Sequence, residues 1–221
     1  MTEIISSKQL KSIVPSVYII IDGANLIQHT SMPRMLCKTD DIEIDYLKLK
    51  YSQINIEELF HTLLYLQGTA LNLSGHQRIF IRTVDLKLIQ IDQRMIIPPV
   101  FHDFRRMFYT FLNEGLIKAE SGESILMKYV KNDIGNCVPP GLPRYSLYIK
   151  DEDEDDEETK ITKVEEFTKN GPAVVYVHLN PENVSKDEVM QDYFCISNDH
   201  LSTASVLQRV IKSYEQQLNI W

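Results

Sequence analysis

An α/β fold with a mostly parallel central sheet and helices on both faces is what this sequence predicts, on three observations. Val17-Tyr18-Ile19-Ile20-Ile21 is an unbroken apolar run without polar alternation, the pattern of a strand buried on both faces. That run stops abruptly at Asp22-Gly23-Ala24-Asn25, and open α/β sheets bind their ligands beyond the carboxyl ends of strands. Further apolar runs then alternate with helical periodicities, as expected of strands joined by crossover helices.

The elements follow in order. Gln28 to Gln53 mixes Met, Pro, Lys and acids with little period and reads as a long loop or small subdomain overhanging the end of the first strand. Ile56, Leu59, Phe60, Leu63 and Leu64 recur at helical spacing between polar Glu57, Glu58 and Gln67. Arg78 to Val84 is a second strand closed by Asp85, and Pro98-Pro99 punctuates before the next helix. In that helix Phe101, Phe104, Met107, Phe108, Phe111 and Leu112 form one apolar stripe ending near Gly115. So regular a stripe reads as core rather than as a base-stacking platform. Leu116 to Ala119 is a further strand.

From about 126 to 172 the pattern departs from plain alternation. Leu126–Lys131 and Tyr145–Lys150 read as strands separated by Gly- and Pro-containing turns, an insertion built as a β-hairpin with an acidic loop (151–160) at its tip. Val174 to Leu179 is another strand candidate without an evident place in the sheet. Ser185–Asp192 reads as a short helix, Tyr193–Ser197 as a strand, and Leu207, Val210, Ile211, Tyr214 and Leu218 mark a final amphipathic helix. Asn198 and Asp199 both suit its N-cap.

At 221 residues, 43% hydrophobic and 24% charged, the chain suits one globular domain. Its net charge of −8 argues against a polyanionic partner only until its distribution is considered. Asp151 to Glu158 holds eight of the 31 acids, and the other 23 balance 23 Lys and Arg. So dense a block of like charge reads as a solvated loop. No apolar stretch reaches the length of a membrane span, and the first residues lack a signal peptide's apolar core. Cys37, Cys137 and Cys195 lack the spacing of a disulfide framework or zinc site, which points to a reducing, intracellular compartment, cytoplasmic or nuclear.

Asp22 carries the chemical expectation. A carboxylate at a strand's carboxyl end suits a hard cation, since Mg²⁺ takes oxygen ligands and often only one or two from protein. Asp-Gly also reads simply as a turn. Ile19-Ile20-Ile21-Asp22-Gly23-Ala24-Asn25-Leu26-Ile27 resembles the opening strand of PIN-like nucleases, in particular the NYN branch with its Regnase-type and protein-only RNase P domains. Tyr193 to Leu201, with Ser197-Asn198-Asp199, resembles that family's later strand. The resemblance implies a Rossmann-like three-layer fold and a metal-dependent endoribonuclease that hydrolyses RNA with a water activated by Mg²⁺ or Mn²⁺. A catalytically degenerate scaffold that binds RNA or a protein is the alternative.

The same resemblance implies the site. Asp22, Asp187 and Asp199 would be catalytic metal ligands, with Asn25 orienting water or phosphate. Glu188 would be a further ligand, although Ser185-Lys186-Asp187-Glu188 also fits a capping box. The helix between Asp187 and Asp199 is shorter than the family's, and Thr203 stands where a further acid is often found. Arg82, Arg105 and Arg106 are candidates for the RNA backbone, against the alternative of solvated surface arginines. Partners are then RNA and, through the insertion, a possible protein; no membrane is implied.

Overall fold

The structure is a computed structural model, and it describes residues 14–131, 133–148, 164, 168–169, 171–179, 192–195 and 201–220. One eight-stranded sheet organises them, in the order β4-β5-β3-β2-β1-β7-β6-β8. The strands are β1 (Val17–Ala24), β2 (Gln77–Thr83), β3 (Leu88–Ile91), β4 (Leu116–Lys118), β5 (Ile125–Val130), β6 (Arg144–Tyr148), β7 (Ala173–His178) and β8 (Asp192–Cys195). From β2 through β1, β7 and β6 to β8 every pairing is parallel, whereas β3, β5 and β4 extend the sheet antiparallel to their neighbours.

The apolar run of β1 is central, as its composition requires: Ile19, Ile20 and Ile21 are all fully buried between β2 and β7. The helices are α1 (Asp41–Leu47), α2 (Ile56–Gln67), α3 (Ala70–Leu73), α4 (Phe101–Glu114) and α5 (Thr203–Leu218). Phe104, Phe108 and Phe111 of α4 join one large core with Leu59 and Leu63 of α2 and Leu207, Val210 and Ile211 of α5. That core takes the odd-numbered residues of β1, β2 and β7. The Phe stripe is therefore packing, and α4 ends where Gly115 adopts a left-handed φ of 77°, the usual conformation after a helix's last turn.

The arrangement corrects several expectations. Every described helix contributes its buried residues to the same face, so among the described residues the molecule has two layers rather than three. The opposite face is a smaller cluster of Tyr18, Ile20, Phe80, Val174 and Tyr176, roofed by Ile134 and Val138 from a 3-10 turn and the segment after it. The proposed hairpin insertion does not form: β5 pairs with β3 and β4 on one side of β1, while β6 lies between β7 and β8 on the other. Sequence reasoning joined them because each is an amphipathic strand bounded by turns. It also passed over β3, whose four residues, Leu-Ile-Gln-Ile, are too few to show a period. The acidic run and the helix expected at 185–192 fall on residues outside those described, apart from Asp192, which opens β8.

Candidate functional site

The carboxyl end of β1 is a charge network rather than an open ligand position. Strand register sets Asp22 opposite Arg82 of β2 on one side and His178 of β7 on the other. Alternation along each strand puts all three on the face of the smaller cluster. Arg82 grips the carboxylate with both arms, Nε to Oδ1 at 2.6 Å and Nη2 to Oδ2 at 2.7 Å, the bidentate geometry of the strongest charge-assisted pairs. His178 Nδ1 lies 3.1 Å from Oδ2, and its Nε2 is 2.8 Å from Ser146 Oγ on β6. The Arg82 guanidinium also stands over the Tyr176 ring, 5.6 Å from its centroid.

Burial alone would push the Asp22 carboxyl's pKa up; the hydrogen bonds and charges of Arg82 and His178 outweigh it and hold the pKa at about 2. Ser146, His178 and Asp22 are all buried. The row Ser146–His178–Asp22 has the connectivity of an acyl-transfer triad, yet Ser146 is wholly inaccessible, which leaves it no route to a substrate. The network ties the ends of β2, β1, β7 and β6 into one unit.

Immediately beyond Asp22, β1 bulges. The register shifts between Asp22 and Ala24, and Gly23 takes a φ of 76°, which a side chain would resist. Asn55, buried just before α2, holds the bulge from both ends. It accepts from Asn25 N at 3.0 Å and donates from Nδ2 to Gly23 O at 2.8 Å. Asn25 donates its own side-chain amide to Gln53 O at 2.8 Å. The D-G-x-N pattern thus has a complete backbone explanation.

The other candidates separate. Arg105 is buried; it donates to Met35 O at 2.7 Å and to Asp40, which also pairs with Arg34 at 2.7 Å. It pins the loop before α1 onto α4, whereas Arg106 on the same helix is exposed. Thr203 opens α5, capped by Ser202 rather than by Asn198 or Asp199, and its hydroxyl and amide both donate to Glu58 of α2. Asp187, Glu188 and Asp199 lie outside the described residues. Strand β8, which leads toward Asp199, runs at the sheet's edge with β7 and β6 between it and β1, ~14 Å away at the usual strand spacing. Among the described residues no group of three or more His, Cys, Asp or Glu side chains is placed to hold a metal ion.

Sequence reasoning missed His178, Ser146 and Asn55. One signal was available: three strongly apolar strands ending in Asp22, Arg82 and His178 would bring opposite charges side by side if aligned in parallel.

Open space lies beside this network. A cleft of about 660 Å³ is lined by Arg82, Leu86, Lys87, Tyr129, Lys131 and Ile134 among others. A second, of about 560 Å³, is lined by Asn25, Gln28, Asp85, Asn113 and again Lys87 and Tyr129. No described helix is long and apolar enough to cross a membrane.

Comparison with known proteins assigns the chain. The family model described as EMG1/NEP1 methyltransferase matches residues 28–215. The ribosomal RNA small subunit methyltransferase NEP1 of Drosophila melanogaster is 27% identical over 162 residues, 70% of this chain and 62% of that protein. The mouse protein of the same name is 25% identical over 156 residues, 70% of this chain and 61% of its own. The chain thus spans about three fifths of the length of these relatives. The crystal structure of Archaeoglobus fulgidus Nep1 bound to S-adenosylhomocysteine shares the fold, with a TM-score of 0.72 at 13% identity, covering 92% of this chain and 99% of that one.

These matches overturn the PIN/NYN resemblance and with it the endoribonuclease, the hydrolytic chemistry and the Mg²⁺ or Mn²⁺ cofactor. The physical reason is visible at Asp22, where both carboxylate oxygens are taken by a guanidinium and an imidazole. The first corner, an acid followed by a glycine bulge, is accounted for by the fold; the second, at Ser197-Asn198-Asp199, lies outside the described residues. By the match across residues 28–215, this chain belongs to the EMG1/NEP1 methyltransferase family.

Proposed function

We propose that this protein transfers the methyl group of S-adenosylmethionine to RNA of the small ribosomal subunit. The observation that carries the reading is the family match, which spans β2 through β8 and most of α5. The relatives' names supply the substrate class, and the ligand of the Archaeoglobus protein supplies the cofactor, since S-adenosylhomocysteine is what remains once the methyl has left.

The carboxyl edge of β7, β6 and β8 is the place for the adenosyl ligand, because parallel strands of this kind bind in the crevice beyond their ends. Leu147, Leu179 and Cys195 at or next to those ends are buried, Leu147 and Leu179 within the main core, which anchors the strand ends. On the opposite face the Asp22–Arg82–His178 network ties β2, β1 and β7 together and would stiffen the same edge. Asp22, Arg82 and Asn25 then act as positioning residues for the strand ends. In the reaction a nucleophilic atom of the nucleotide attacks the methyl carbon, the carbon–sulfur electron pair returns to sulfur, and the nucleotide's proton passes to solvent.

Two measurements test this. Calorimetry with S-adenosylhomocysteine should give a saturable site, and radiolabelled S-adenosylmethionine should label small-subunit rRNA in the protein's presence. A folded protein that binds no S-adenosylhomocysteine overturns the cofactor; binding without transfer to any small-subunit RNA overturns the substrate.

A further inference from the structure

The turn between β2 and β3 is built in a way its own folding does not require. Its backbone closes through Thr83: Thr83 N donates to Lys87 O at 3.0 Å, Leu86 N to Thr83 O at 2.9 Å, and Lys87 N to Thr83 Oγ1 at 3.0 Å. Val84 N donates to Ala24 O at 3.1 Å, which ties the turn to the bulge after β1. Thr83 itself is buried. Inside this frame Leu86 takes a φ of +62°, a conformation glycine adopts freely and leucine resists. Its side chain gains nothing from the core in exchange, since Leu86 is 73% exposed and neighbouring Val84 46%. A strained, over-determined residue with an apolar side chain in solvent is the pattern expected of a contact element.

What lies beside it suggests the ligand. Leu86 forms a lip of the larger cleft, whose walls include Leu88, Leu112, Val130 and Ile134, with Tyr129 shared between both clefts. Apolar walls set among polar groups (Arg82, Lys87 and Lys131 here, Asn25, Gln28 and Asn113 in the adjoining cleft) match a nucleobase with its flanking phosphates. Exposed Lys131 and the outward Lys87, which keeps a 2.7 Å pair with Asp85, stand at the rim where phosphates would pass. Of the acids lining the two clefts, Asp85 is paired with Lys87, and Asp133 adds a negative charge whose carboxylate accepts from Ile134 N at 2.6 Å. Shape and stacking therefore have to supply most of the affinity.

We propose that the β2–β3 turn and this cleft hold one unstacked nucleotide of the RNA substrate, with Leu86 and Val84 as an apolar wedge against the base and Lys87 and Lys131 at its phosphates. The proposal rests on the RNA half of the function above. The test is binding of a labelled single-stranded small-subunit rRNA fragment to the full chain, alongside S-adenosylhomocysteine binding, for wild type, Leu86→Gly and Lys87→Ala/Lys131→Ala. Leu86→Gly relieves the backbone, so it folds at least as well, yet RNA affinity should fall about tenfold, as for loss of a buried side chain of that size. The double lysine variant should flatten the dependence of log K on log salt by roughly one to two. S-adenosylhomocysteine binding should be unchanged in both. Wild-type RNA affinity in Leu86→Gly overturns the wedge. A wild type that binds S-adenosylhomocysteine but no RNA overturns the substrate class and this site with it.

Discussion

Asp22→Asn is the substitution whose consequences the structure specifies most fully. The change is isosteric, so it isolates charge. In the native protein the Asp22 pKa is held at about 2, below its ordinary 3.8, by Arg82 and His178 against the opposing effect of burial. A folded-state pKa below the unfolded one means stability that is present above pH ~4 and lost as the pH falls toward ~2. With nearly two units between the two states, this single group contributes about 2.5 kcal/mol near neutrality. The asparagine variant forfeits that contribution and replaces the charge-assisted bonds from Arg82, 13% exposed, with weaker neutral ones, so a loss of about 3 kcal/mol is expected at pH 7. For a chain of this size that lowers Tm by roughly 6–12 °C. Urea unfolding from pH 7 to pH 2.5 measures both parts. Other carboxylates titrate in the same window, so the informative quantity is the gap between wild type and variant, which should narrow as the pH drops. A gap that stays constant down to pH 2.5 would refute the assignment of Asp22 as an ionised, doubly gripped carboxylate.

Asn55→Ala should cost about 2–4 kcal/mol, because it orphans Asn25 N and Gly23 O where β1 bulges; denaturant unfolding reports the loss, and amide exchange should show the bulge opening first. Arg105→Met should cost about 3 kcal/mol by leaving Asp40, 7% exposed, with Arg34 as its remaining guanidinium. Amide protection of Met35, whose N–H donates to Arg105 O at 3.3 Å, should fall in step. If Arg105 served RNA instead, the variant would keep its stability and lose affinity.

Which features were readable in the sequence follows from how local their causes are. Strand β1 announces itself as an unbroken apolar run, and helices α2, α4 and α5 because twelve to sixteen residues repeat one period; burial in the structure agrees along the Phe104, Phe108, Phe111 stripe. Strand order has no such local cause. Nothing in Val174–His178 says that it lies against β1, or that β6, read as half of a hairpin, enters the sheet on β7's far side. The site failed for the same reason. Asp22 looked like a free carboxylate because its partners stand sixty residues away in Arg82 and further still in His178. The metal reading needed Asp22 as an open carboxylate, and both its oxygens face Arg82 and His178. The first of the two nuclease-like matches rested on a bulge whose residues are dictated by backbone needs: glycine for the left-handed φ of 76° and asparagines to satisfy the turn.

Methyl transfer requires the methyl donor and the acceptor atom to approach within roughly 3–3.5 Å, and this limits how the two flanks of the sheet edge divide the work. The cleft under Leu86 belongs to β2 and β3, whereas the adenosyl ligand is proposed beyond β7, β6 and β8. From β2 to β7, the nearest of those strands, is two strand spacings, ~10 Å, well beyond the reacting distance for a base seated in the cleft. On the proposed reading the cleft holds a neighbour of the acceptor, and the acceptor lies above β1 and β7, beside the Asp22–Arg82–His178 network. A kinetic signature follows. Leu86→Gly removes binding shared by ground state and transition state, so KM for RNA should rise about tenfold with kcat nearly unchanged. Steady-state kinetics with saturating S-adenosylmethionine measures the split. A fall in kcat of the same size at saturating RNA would mean that the wedge seats the reacting base, and the donor would then have to sit on the β2 side of the sheet.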